Sequence, residues 1–202
     1  MTGLPRTSRI EGVPALKTPV DVATAVWRPV TLRAAAALAF GALSIFWPAP
    51  GASTVAYCLA LFLIVSAKAV WDFAKAPVIP EGVRGLLVAP AAVWLLAAVV
   101  LVISPETATI GIAGGLAFLL SGALELAGWF RSRRDLVPAR DLAITGAVSL
   151  GTGVGLLGGL NLGLDAHGFF GIAGGGAILT GVFLLIAGLG YRYDARSTDA
   201  RR

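Results

Sequence analysis

Apolar residues in this chain come in six long runs, and polar residues are confined between them. The clearest pair of runs lies between Gly85 and Arg134: GLLVAPAAVWLLAAVVLVIS, a three-residue PET, ATIGIAGGLAFLLSGALELAGWF, then RSRR. Crossing a bilayer as a helix takes about 20 mostly apolar residues. Each run fits that length. The pattern predicts spans at 29–47, 54–73, 85–103, 108–130, 142–160 and 169–191. Alternate connections are short turns, so the spans pair into three hairpins, 29–73, 85–130 and 142–191. The fold class is therefore all-α, a polytopic membrane protein of six helices. An arm over 1–28 precedes the membrane domain and a tail over 192–202 follows it.

Local signals place the ends. Pro29 suits a first helical turn, where its missing N–H loses nothing. Pro48 and Pro50 stop span 1, and Pro90 is expected to kink span 3. Residues 20–27 are expected as a separate short helix at the membrane surface, anchored by Trp27 and Arg28. The arm carries Arg6, Arg9, Glu11, Lys17 and Asp21 among three prolines. It has no apolar core of a signal peptide.

The charges sort by side. The arm, the linkers after spans 2 and 4, and the tail hold nearly all of the Lys and Arg. The three short turns hold none. The positive-inside rule then puts both termini in the cytoplasm, which requires an even number of spans. Basic residues on that side also predict contact with anionic lipid. The net charge of +5 is thus a topology signal, and the absence of a basic stripe argues against nucleic acid.

Composition agrees: the chain is 57% hydrophobic and 13% charged, with mean hydropathy +0.84. Soluble domains average about 45–50% and about 25%. Six spans leave no room for a folded soluble domain. The single cysteine, Cys58, excludes an internal disulfide and reads as a small buried apolar side chain.

Few groups offer chemistry. Arg33, Lys68, Asp72 and Glu125 fall at a similar depth near the cytoplasmic ends of their spans. Ionisable residues in spans mark functional sites by default, so these four form a candidate polar cluster; snorkelling anchors are the plainer account. Asp165 and the only histidine, His167, share an outer turn, a candidate pH-sensing pair because histidine titrates near neutrality. Neither a metal site nor a cofactor site is expected, and no catalytic set is present. Span 5 is glycine-rich: Gly151, Gly155 and Gly159, with Gly171 and Gly175 in span 6, have the GxxxG spacing that lets helices approach closely.

The hairpins repeat. Ile112-Ala-Gly-Gly115 recurs as Ile172-Ala-Gly-Gly175, and Ser66, Ser121 and Thr180 lie mid-span in successive second helices. All three hairpins start on the same side, so this is a parallel repeat. Three segments carry a family resemblance. They are Leu32-Arg33 through Phe40-Gly41 to Trp47-Pro48, the run from Leu61 to Ser66, and Leu119-Leu120-Ser121-Gly122 ending in Trp129-Phe130 and its arginines. Over about residues 27–192 the chain resembles the HdeD family of six-span acid-resistance membrane proteins. It departs from that pattern in having Ala67-Lys68 after Ser66 and no proline in the third turn.

The resemblance implies a role in acid or envelope stress in the cytoplasmic membrane of a bacterium. With no catalytic set, the function expected is a non-enzymatic scaffold or partner of other membrane proteins, or a homo-oligomer. The alternative is a small transporter or channel for protons or small solutes, gated from the cytoplasmic side by Lys68, Asp72 and Glu125.

Overall fold

The computed structural model describes residues 18–79, 81–134 and 138–196. The N-terminal arm up to Lys17 and the tail from Ser197 lie outside them. Among the described residues the chain is helical and has no strand. Six helices are long and apolar enough to cross a membrane. Span 1 is Val20–Phe46, span 2 Ala52–Ala74, span 3 Glu81–Ile103, span 4 Thr107–Ser132, span 5 Ala139–Asn161 and span 6 Ala166–Arg196.

One expectation about the start of span 1 is corrected. Residues 20–27 are not a separate surface helix. They continue into span 1 through Pro29. Pro90 lies inside span 3, whose helix continues past it. In hydrocarbon the backbone has no partner but its own helix, so a proline is tolerated where neighbouring helices support it. Span 6 also runs past 191, to Arg196. At about 1.5 Å per residue, spans 1 and 6 reach ~40–46 Å, beyond a hydrocarbon core of about 30 Å. Their overhang is shared: the Thr18 N–H donates to Asp194 Oδ2 at 3.3 Å, and the Arg192 guanidinium stands 5.6 Å from the centre of the Trp27 ring.

Consecutive spans neighbour one another and span 6 closes back on span 1, making a ring. The most intimate pairs are 6 with 1, 4 with 5, and 2 with 3. Two of these three pairs link different hairpins through the long linkers, and the third joins the two ends of the chain. Association in lipid lacks the hydrophobic drive of water and depends on close packing of small residues. The inward faces accordingly carry Ala, Gly and Ser, while Phe46, Ile103 and Leu162 are more than three-quarters exposed.

Between spans 4 and 5 the approach is backbone to backbone. Gly115 faces Gly153 and Gly122 faces Gly146. A Cβ on Gly153 would lie 2.6 Å from Leu119 N, and one on Gly122 would lie 2.7 Å from Gly146 O. This backbone-to-backbone approach does not use the glycines singled out by GxxxG spacing. Gly151, Gly171 and Gly175 have nothing within 4 Å of a built Cβ and point outward. Gly155 meets only the Ile172 side chain, and Gly159 meets Leu164 and Phe169. A π-helical turn at Ile110–Gly114 opens span 4 and shifts its register. Gly115 is therefore buried, while Gly175, its counterpart in the repeated tetrapeptide, is exposed.

The third turn shows why it needs no proline. Gly163 has φ +64°, Leu164 N–H donates to Gly159 O and Gly163 N–H to Leu160 O. That is a Schellman stop, which requires the left-handed residue that glycine supplies.

Candidate functional site

Four of the polar residues singled out in the sequence separate into two pairs. Lys68 and Asp72 form an ion pair one turn apart on span 2, with side chains 64% and 41% exposed. Arg33 and Glu125 form another between spans 1 and 4, at 2.6 Å, with side chains 10% and 2% exposed. The expected four-residue cluster therefore does not assemble. Lys68 is on an outward face, the exposed residue between the buried pairs Ser66–Ala67 and Ala69–Val70.

The buried pair is held by neighbours the sequence reading did not single out. Thr145 Oγ1 on span 5 donates to Glu125 Oε2 at 2.5 Å. The Arg33 guanidinium lies 4.8 Å from the centre of the Trp94 ring on span 3, a cation–π distance. The Trp94 indole N–H in turn donates to Ser121 Oγ at 2.9 Å. Both carboxylate oxygens of Glu125 thus have partners, which a buried charge needs.

Arg33, Glu125 and Thr145 line a cavity to which all six spans contribute, with Asp141 on the same wall. Its volume is about 40 Å³, room for about three ordered waters. Pro29, Pro90 and Pro138 border it, which places it at the end of the ring where the long linkers lie. Asp141 Oδ2 accepts a hydrogen bond from Tyr191 Oη at 2.6 Å.

Toward the short turns the axis is closed by aromatic rings. Phe40 stacks on Phe62 with centroids 4.8 Å apart, Phe170 meets Phe40 edge-on at 5.3 Å, and Phe118 lies 6.3 Å from Phe62. Phe40 and Phe118 are each seven residues from Arg33 and Glu125 along their helices, ~10 Å nearer the short turns.

Span 5 carries the polar side of this axis. Asp141, Thr145, Ser149 and Thr152 recur at helical spacing, and the last three are buried. That stripe was legible in the sequence as polar residues at i, i+4, i+8 and i+11, but the glycines of the same span masked it. Of the mid-span hydroxyls, Ser121 bonds Trp94, Thr180 borders the axis, and buried Ser66 Oγ has no hydrogen-bond partner.

Of the outer-turn residues, Asp165 has a local role. Asp165 Oδ1 accepts from Gly168 N–H at 2.8 Å, capping span 6. His167 is exposed beside it. Among the described residues no group of three or more His, Cys, Asp and Glu is placed to hold a metal ion.

Compared with known proteins, the chain matches no family model, no curated protein and no solved structure.

Proposed function

We propose that this chain is a non-enzymatic membrane protein that takes up and moves protons or a small solute through an axial site. The membrane is the cytoplasmic membrane of a bacterium, with both termini cytoplasmic. The HdeD-like pattern of hairpins adds the setting, protection under acid or envelope stress. One observation carries the transport reading: the Arg33–Glu125 pair lies on the wall of a cavity lined by all six spans. A buried ion pair is weak evidence for stability, since apolar side chains of similar volume often serve as well or better. Charged side chains facing a cavity inside a helix bundle are the usual mark of an ion or solute path. Basic and aromatic side chains at the linker end support the orientation, with Lys75 against Trp71 and Arg133 against Trp129 and Phe130. Such pairs suit an interface rich in anionic lipid.

The test is reconstitution in liposomes with an internal pH dye and imposed proton and ion gradients. Protein-containing liposomes are expected to dissipate a gradient faster than empty ones, and Glu125→Gln to abolish the difference. Equal rates with and without protein, for protons and small ions alike, sink the transport reading.

A scaffold role is favoured by a separate observation. Gly151, Gly171 and Gly175 open onto the lipid-facing side with no covering side chain, which leaves room for a helix of a partner or of a second copy. Affinity purification in mild detergent, comparing wild type with Gly175→Leu, tests it. An unchanged set of bound proteins and an unchanged oligomeric state count against it.

A further inference from the structure

Arg33 lines two cavities at once. Toward the linkers it borders the chamber that holds Glu125, Thr145 and Asp141. Toward the phenylalanines it borders a second void of about 10 Å³, shared with Ser149, Thr152 and Thr180. That is close to the lower limit for one water or one ion of similar size. The two chambers differ in charge. The first carries two carboxylates. The second has none in its lining, and its polar groups are the guanidinium, three hydroxyls and the Trp94 indole N–H, which is already bonded to Ser121. Thr152 Oγ1 donates back to Val148 O at 2.9 Å. Ser149 and Thr180 are 4% and 7% exposed, and their hydroxyls have no hydrogen-bond partner among the described residues. Two buried O–H donors and a cationic fork therefore converge on an unfilled space.

We infer that this void is a proton-linked binding site for a monovalent anion of about the size of water, fluoride rather than a larger halide. The inference rests on the transport reading of the axial site and names what that site takes. With Glu125 ionised, Arg33 is neutralised by its partner and the void has little pull on an anion. A proton from the first chamber converts the Glu125 carboxylate to the carboxylic acid. The ion pair is then lost, and Arg33 remains as an uncompensated charge away from water, a costly state. A fluoride entering the void restores neutrality. Ser149 and Thr180 donate their O–H groups to it, and Arg33 supplies the opposite charge. The balance is one proton on a Glu125 oxygen and one anion beside Arg33, so the site gains no net charge. An arginine on the axis disfavours metal cations, so the charged ligand this lining suits is an anion.

The groups facing Glu125 from each helix agree with this assignment. Span 1 presents Arg33, and span 5 presents Thr145 and Asp141. Spans 2, 3 and 6 present only apolar side chains and a proline to the chamber. Asp141 has its own partner, Tyr191. Glu125 is thus the carboxylate whose protonation unbalances Arg33.

The experiment is calorimetric titration of chloride and, separately, fluoride into the full chain in nanodiscs prepared in halide-free gluconate buffer. It is run at about pH 5 and about pH 8, in buffers of different ionisation enthalpy so that proton uptake is counted. Wild type is expected to bind fluoride at least ~10-fold more tightly at the lower pH, taking up about one proton per anion. Glu125→Gln is expected to bind equally at both pH values with no proton uptake. Ser149→Ala and Thr180→Val are expected to weaken binding ~10-fold and to leave the proton count unchanged.

Fluoride binding that ignores pH in wild type, no fluoride binding in wild type at either pH, or chloride bound as tightly as fluoride, overturns the inference. Should Glu125→Gln fail to fold, the wild-type proton count and the two hydroxyl variants decide. Liposome flux is read separately. Fluoride binding with proton uptake but no flux keeps the site and defeats the transport reading. Flux without fluoride binding does the reverse.

Discussion

Arg33 and Glu125 are 92 positions apart in the chain and 2.6 Å apart in the folded protein. Their bond ties the first helix to the fourth across the ring, and both side chains are buried. Removing one partner strands the other. Arg33→Leu alone is expected to lower stability by about 3–5 kcal/mol, and Arg33→Leu combined with Glu125→Leu to recover most of that loss. Thermal unfolding of the purified variants in detergent checks this. A double variant as unstable as the single one would show that the pair itself, not the orphaned charge, holds the helices.

The Lys68–Asp72 pair is the contrasting case. Both side chains are substantially exposed, and an i,i+4 surface pair contributes about 0.3–0.5 kcal/mol. Asp72→Asn is expected to leave both unfolding and liposome flux at wild-type values. Loss of flux in that variant would bring Lys68 and Asp72 back into the path.

Glycine substitutions should divide by face. Gly153→Ala drives a Cβ to within 2.6 Å of Leu119 N and 2.8 Å of Gly115 O. Those are backbone atoms, so the two helices must separate, at ~1–3 kcal/mol. Gly151→Ala meets open space and is expected to be neutral or to stabilise the helix by up to about 1 kcal/mol. Paired melting curves of the two variants read the difference directly.

The aromatic plug predicts a leak. Phe62 touches Phe40 and Phe118 and also borders the hydroxyl-lined void. Phe62→Ala is expected to destabilise by about 3–5 kcal/mol and, in liposomes made from the folded fraction, to raise passive ion leak above wild type. A leak no greater than wild type would place the barrier elsewhere.

At the outer turn, Asp165→Ala removes the cap of span 6 and is expected to cost about 0.5–2 kcal/mol. His167→Gln is expected to change neither stability nor the pH profile of flux, because the ring is exposed. A shifted profile would restore the histidine as a sensor.

The sequence by itself determined six spans and their pairing into hairpins, because crossing hydrocarbon requires a length and composition that a local run states completely. It also showed that Arg33 and Glu125 are unusual, since a charge inside an apolar run is visible without any partner. Which charges meet was another matter. Arg33, Lys68, Asp72 and Glu125 share a depth, but depth says nothing of the direction in which a side chain leaves its helix. Only the packed ring turned Arg33 and Glu125 inward onto Thr145 and Trp94 and left Lys68 and Asp72 facing out. The glycines carry the same lesson. Six of them line span 5 on several faces, and spacing alone cannot choose between Gly151–Gly155 and Gly146–Gly153. The choice depends on where span 4 lies, and its register is shifted by the π-helical turn at Ile110–Gly114. Helix formation is decided by near neighbours in the chain. Helix rotation is decided by the partner, and only the tertiary structure holds that.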